Sequence, residues 1–151
     1  MSRPLERSHD GTLRIEGSEA RVIILPANAL AKLYEELKKV LGVGAHVMLR
    51  KVGESFGESI IEIAKKEGKT EEGLAALLEK TGFGKVEIEK EGDSFLVKIY
   101  KAPSLDVSTE CCSFEEGIVK AVLEGVEGGK WRVKTVKTDP EVCIIKGTRV
   151  S

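Results

Sequence analysis

The residues best suited to chemistry in this chain are three cysteines and two histidines. Cys111 and Cys112 are adjacent in "ECCSFEEGIVKAVLEG", residues 110–125, and Cys143 lies in "EVCIIKG". The adjacent pair stands at the head of a segment with the pattern of an amphipathic helix. A thiol at a helix N-terminus is acidified and binds metal well. Structural zinc wants four ligands, commonly with two to four residues between paired cysteines. Here Cys112 and Cys143 would be the ligands, with Cys111 a poor third because neighbouring cysteines chelate one ion badly. Three readings are therefore open for Cys112 and Cys143: buried thiols, a disulfide, or a metal site for which zinc is the candidate ion.

The other candidates are weaker. His9 falls in an N-terminal segment, and His46 opens a long helix, where a cap or surface role is expected. No local Cys/His spacing points to a thiol nucleophile. Glu115 and Glu116 fall in the first turn of the cysteine helix, where negative charge favours the helix dipole. Phosphate-binding, dinucleotide-binding, zinc-protease and serine-hydrolase motifs do not occur. No catalytic residue is assigned, and the cofactor question is left open.

The elements that must position these residues follow from periodicity. Residues 1–11 read as a flexible arm, and residues 12–151 as a single domain. "TLRIEGSEARVIILP" gives two short strands around Gly17 and Ser18. After Pro26, Leu30, Leu33, Leu37 and Leu41 recur at helical spacing until Gly42 and Gly44. A long helix follows, about 45–67, with Leu49, Val52, Phe56, Ile60 and Ile63 as its apolar stripe. Gly53 and Gly57 lie four apart within it, so they share one face. A third helix is expected near 70–81. "KVEIEKE" and "SFLVKIYKA" alternate as strands around Gly92 and Asp93. After the cysteine helix, "KWRVKTVKT" and "EVCIIKG" form a last hairpin across Asp139 and Pro140. This order predicts an α+β fold with a mostly antiparallel sheet and helices packed on one side. Cys112 precedes the stripe Phe114, Ile118 and Val122, and Cys143 shares a strand face with Ile145. The two cysteines are therefore expected to meet.

Composition sets limits on function. The chain has 151 residues, and Lys+Arg 24 against Asp+Glu 25 gives a net charge of −1. Such a balance offers no field for phosphate-driven nucleic-acid binding. No apolar run is long enough to span a bilayer, and the polar start lacks a signal core, so a cytoplasmic protein without membrane insertion is expected. The sequence has one Asn and no Gln, with 32% charged residues. Few thermolabile amides with abundant Lys and Glu mark a thermophile's protein, and intracellular proteins of hyperthermophiles can carry disulfides.

Several stretches together resemble the vinyl-4-reductase domain family. Cys112, Phe114 and Gly117 match its cysteine, aromatic and glycine spacing, and Gly125 closes the helix. "RVIILPANALAKLYEELKKVLG" is similar to its strand-then-helix start, "MLRKVGESFGE" to its long glycine-bearing helix, and "LEKTGFGKVEIE" to its approach to the central strands. The resemblance runs from about residue 20 to 147. One departure stands out: the family often has a further cysteine near Thr135, Val136 and Lys137, and this chain has none there.

The resemblance implies a small-molecule-binding domain, found in archaea and beside bacterial regulators. It also implies a fold similar to the Bet-three-type subunits of the TRAPP tethering complex, a dimer with an apolar channel. The expected function is binding of a small apolar, hydrocarbon-like ligand without catalysis. The candidate ligand contacts are Phe56, Ile60, Phe83, Phe114, Ile118 and Val122. Gly53 and Gly57 are assigned to a dimer contact or to close helix packing, and a homodimer is expected. A subunit of a vinyl-group reductase and an assembly platform are the alternatives.

Overall fold

The computed structural model describes residues 5–68, 73–79, 82, 84–107 and 111–151. Strands β1 (Leu5–Arg7), β2 (Leu13–Ile15) and β3 (Arg21–Val22) form a small antiparallel sheet in that order. Helices α1 (Ala27–Leu41), α2 (Ala45–Lys66) and α3 (Leu74–Glu79) follow. Next come β4 (Val86–Glu91), β5 (Ser94–Tyr100), a 3-10 turn at Pro103–Asp106, and α4 (Ser113–Glu127). Strands β6 (Trp131–Thr138) and β7 (Val142–Arg149) complete a second antiparallel sheet, of order β4-β5-β7-β6. This is the α+β architecture that the element order implied.

The strand at Leu5–Arg7 lies inside the segment read as a flexible arm. It pairs Leu5 with Ile15 and Arg7 with Leu13, so residues from position 5 belong to the small sheet. The third helix covers Leu74–Glu79. Residues 70–72, 80 and 81, also expected in it, lie outside the described residues.

The core lies between α4 and the larger sheet. Val97, Ile99, Cys143 and Ile145 from the sheet meet Phe114, Ile118, Val119, Val122 and Leu123 from α4. The alternation of β5 is regular: Phe95, Val97 and Ile99 are buried, and the residues between them are less so.

Helix α2 makes its closest approach to α4 through glycine, and of the expected apolar stripe only Leu49 is buried. Its buried residues are Ala45, Leu49, Gly53, Gly57, Ile61 and Ala64. A β-carbon on Gly53 would overlap the Phe114 carbonyl oxygen, and one on Gly57 would stand 2.7 Å from the Ala121 β-carbon. Gly117 of α4 meets the same helix from the other side: a β-carbon there would come within 2.6 Å of the Glu54 nitrogen. Of the assigned roles, Gly53 and Gly57 therefore make close helix packing within one chain. Their face is covered and offers no dimer contact. Val52 and Ile60 are only partly buried, and Phe56 is 44% exposed.

Candidate functional site

Cys112 and Cys143 form a disulfide across the core, with α-carbons 6.5 Å apart and a sequence separation of 31. That spacing is ordinary for a bridge. Cys112 is the residue before α4, and Cys143 sits mid-sheet, opposite Ile99 of β5 and Thr138 of β6. Both are fully buried. The expected meeting of the two cysteines thus takes the form of a covalent bond. Cys112 and Cys143 were also candidate zinc ligands. Bonded to each other, they are no longer the thiolates that a zinc ion binds.

Thr135 of β6 lies beside the disulfide. Its hydroxyl accepts a hydrogen bond from the Cys112 backbone N–H at 3.1 Å and donates to Glu116 Oε2 at 2.6 Å. Its own N–H donates to the same carboxylate oxygen at 2.7 Å. Arg50 of α2 completes the set, with Nε 2.9 Å and Nη2 2.8 Å from Glu116 Oε1. Glu115 is buried too, and it accepts hydrogen bonds from the Ser104 N–H at 3.1 Å and hydroxyl at 2.5 Å. Burial pushes its carboxyl above the ordinary glutamate value, against the opposing pull of Ser104. The pair does stand in the first turn of α4, as expected, and it is also a buried double tie. It joins α4 to α2, to β6 and to the 3-10 turn.

The third cysteine is the free one, and it is partly exposed. Cys111 Sγ lies 3.3 Å from His46 Nδ1 and 3.2 Å from Ser113 Oγ. His46 Nδ1 also lies 3.0 Å from Ser113 Oγ, and its Nε2 lies 3.0 Å from the Tyr34 hydroxyl. Both ring nitrogens are engaged, so the imidazole is fixed in orientation. His46 is therefore neither a cap nor a plain surface residue. Sequence spacing could not reveal this group, because α1, α2 and the head of α4 each contribute to it.

Tyr34, Cys111 and Ser113 of this group border a small apolar cavity of about 20 Å³. Leu30 and Tyr34 of α1, Leu49 of α2, Pro103 and Phe114 form its walls, and Cys111 and Ser113 its polar side. That volume holds one water and no organic molecule. Tyr34 is the only buried residue of α1, so the cover over the cavity is lightly held. A wider depression of about 360 Å³ runs beside α2 and α4, but Glu54, Glu58, Glu62, Lys65, Lys120 and Glu124 give it charged walls. Apolar ligands suit the first site and not the second.

Of the expected ligand contacts, Phe114 lines the apolar cavity. Phe56 packs edge-on against it, with ring centroids 5.2 Å apart, from the exposed side. Ile118 and Val122 are buried in the core, and Ile60 packs against that core. Phe83 lies outside the described residues.

Comparison with solved structures places this architecture. The phenol-responsive sensory domain of the transcription activator PoxR, solved with phenol, aligns with a TM-score of 0.73 and 19% identity, over 96% of this chain and 84% of that one. A vinyl-4-reductase family protein from Methanocaldococcus jannaschii aligns at 0.54 and 18%, over 86% and 98%. Subunit 3 of the trafficking protein particle complex from Naegleria fowleri, covalently bound to palmitic acid, aligns at 0.51 and 17%, over 83% and 95%. The chain has the fold of these proteins. The resemblance read from the sequence is thus matched in three dimensions, and the TRAPP-like architecture with it. No known family profile and no curated relative matches the chain. Among the described residues, no helix is long and apolar enough to cross a membrane.

Proposed function

We propose that this chain is a binding domain for a small, largely apolar molecule, seated where α1, α2 and the head of α4 meet. The observation that carries this reading is the pairing of an apolar cavity with a fixed polar edge. Leu30, Leu49, Pro103 and Phe114 give the walls, and the His46–Tyr34–Ser113 set gives one hydrogen-bonding side. Ligand sites commonly combine apolar walls with a few convergent polar groups. A small aromatic or aliphatic molecule with one hydroxyl or carbonyl fits that chemistry. The fold shared with a phenol-responsive sensory domain supports the same class.

Because the cavity has room for no more than a water, binding requires α1 to move outward. Phenol is the first probe. Isothermal calorimetry on the full chain should show saturable binding, and His46→Ala should weaken it at least about fivefold by releasing the Tyr34 and Ser113 hydroxyls that it holds at the cavity edge. Absence of saturable binding by phenol, cyclohexanol and a short fatty alcohol alike would remove the reading.

A homodimer belongs to this reading. Ile23, Ile24, Leu25, Val40, Val43 and Val47 are all more than half exposed. These exposed side chains lie in two groups, one before α1 and one around its C-terminal end; exposed apolar surface marks interaction sites, and self-association would cover it. Light scattering at tens of micromolar should report a dimer. A monomer with the same surface open would instead favour the assembly-platform alternative.

A further inference from the structure

We infer that Cys111 is a nucleophile that His46 activates, and that it captures apolar electrophiles of the α,β-unsaturated carbonyl class by covalent addition. The inference rests on the reading that the neighbouring cavity accepts a ligand. Nucleophile, base and orienting group stand in sequence of contact. Cys111 Sγ is 3.3 Å from His46 Nδ1, and His46 Nε2 is 3.0 Å from the Tyr34 hydroxyl. In the tautomer with hydrogen on Nε2, that N–H donates to Tyr34 and leaves Nδ1 an acceptor, shared between Ser113 Oγ at 3.0 Å and the Cys111 thiol, that can take the thiol proton. A base oriented by a third group is the arrangement that activates a weak nucleophile. Cys111 is the sulfur left over from the Cys112–Cys143 bridge, and it is partly exposed. It is therefore reachable, whereas the bridged pair is not.

The walls select the partner. Cys111 borders a cavity otherwise made of Leu30, Leu49, Pro103 and Phe114, so an apolar electrophile is favoured over a charged one. Addition suits a confined site because no leaving group must depart and neither water nor oxidant takes part. The thiol proton passes to His46 Nδ1, and sulfur forms a bond to the β-carbon of the unsaturated carbonyl. The carbon–carbon π pair moves to the α-carbon, which then takes the proton back from the imidazolium. Every atom of both partners is retained in the thioether.

Cinnamaldehyde and acrylamide serve as apolar and polar probes on the full chain with its disulfide intact, with peptide mass mapping to locate the adduct. Cinnamaldehyde should modify Cys111 at least about a hundredfold faster than it modifies free N-acetylcysteine at the same pH, the lower end of what a positioned base contributes. Acrylamide should show a smaller advantage. His46→Gln should bring the cinnamaldehyde rate down to that of the free thiol while thermal unfolding stays cooperative, and Cys111→Ser should abolish labelling. A Cys111 rate equal to the free thiol, a rate indifferent to His46→Gln, or no preference for the apolar probe would overturn the inference. Phenol binding to Cys111→Ser, measured by calorimetry, reads the reversible site separately. If it persists while labelling fails, only the covalent step is lost.

Discussion

Gly57 of α2 rests against Ala121 of α4 so closely that a β-carbon on the glycine would lie 2.7 Å from that of the alanine, and 2.8 Å from the Ile118 carbonyl oxygen. Neither neighbour is the free end of a flexible side chain. Gly57→Ala must therefore push the helices apart. Overpacking of this kind costs about 1–3 kcal/mol. Urea denaturation should show that loss, with Gly57→Leu worse. The effect should persist at protein concentrations where any dimer has dissociated, because the contact is within one chain. A loss that disappears on dilution would relocate the glycine face to a subunit interface.

The disulfide makes a second expectation. Bridging Cys112 and Cys143 closes a loop of 31 residues. In the chain-entropy model such a loop contributes about 3–4 kcal/mol. Reduced protein, or the Cys112→Ser/Cys143→Ser double variant, should unfold at correspondingly lower urea. Thiol titration without reductant should count one reactive group in the unfolded chain, and three after reduction. Three without reductant would show that the bridge does not form.

How much of this was legible in the sequence depends on what each element exposes to pattern reading. The strands of the larger sheet alternate cleanly, and their hairpin turns carry the expected residues, so β4 to β7 follow from periodicity. Helix α2 was found at its correct extent, but its inward face was misjudged. The apolar spacing Leu49, Val52, Phe56, Ile60 and Ile63 is real, yet the helix turns Gly53, Gly57 and Ala64 inward instead. Hydrophobicity counts a glycine as neutral, whereas close backbone approach makes it the best residue for that contact. The Cys111–His46 pair was invisible for a different reason: 65 residues separate its members. The first-turn placement of Glu115 and Glu116 was legible, but their burial was not, because only tertiary partners reveal it.

Glu115 supplies a pH test. Burial raises its folded pKa above the ordinary 4.5. The folded state then holds the proton at pH values where the unfolded chain has released it. Stability from this group is full below 4.5 and declines as pH rises through the folded pKa. Glu115→Gln keeps an acceptor for the Ser104 N–H and offers a donor to the Ser104 hydroxyl, but it cannot ionise. The stability of the variant relative to the parent chain should therefore improve as pH rises from the acid range to neutrality. Urea midpoints of both proteins across that range give the difference directly. Parallel curves, or a variant that loses ground with rising pH, would contradict a raised carboxyl.

Glu116 should behave in the opposite sense to its neighbour when it is removed. It is 3% exposed and accepts from the Arg50 guanidinium and from both the N–H and the hydroxyl of Thr135. Glu116→Ala strands a partly exposed cation and leaves a buried N–H and hydroxyl without their acceptor. Breaking one side of a buried pair costs about 3–5 kcal/mol, more than the pair's net contribution. Because Arg50 is 40% exposed, water can recover part of its solvation, which places the expected loss near the lower end of that range. Arg50→Met alone should cost less, since Thr135 still satisfies one carboxylate oxygen. The double variant should cost less than the sum of the two single changes, with a coupling of about 0.5–3 kcal/mol. The Thr135 N–H supplies the site-specific readout. Its hydrogen exchange should accelerate in Glu116→Ala and stay slow in Arg50→Met, because only the first change deprives it of its acceptor. Equal acceleration in both would mean that the Thr135 N–H depends on Arg50 as much as on Glu116.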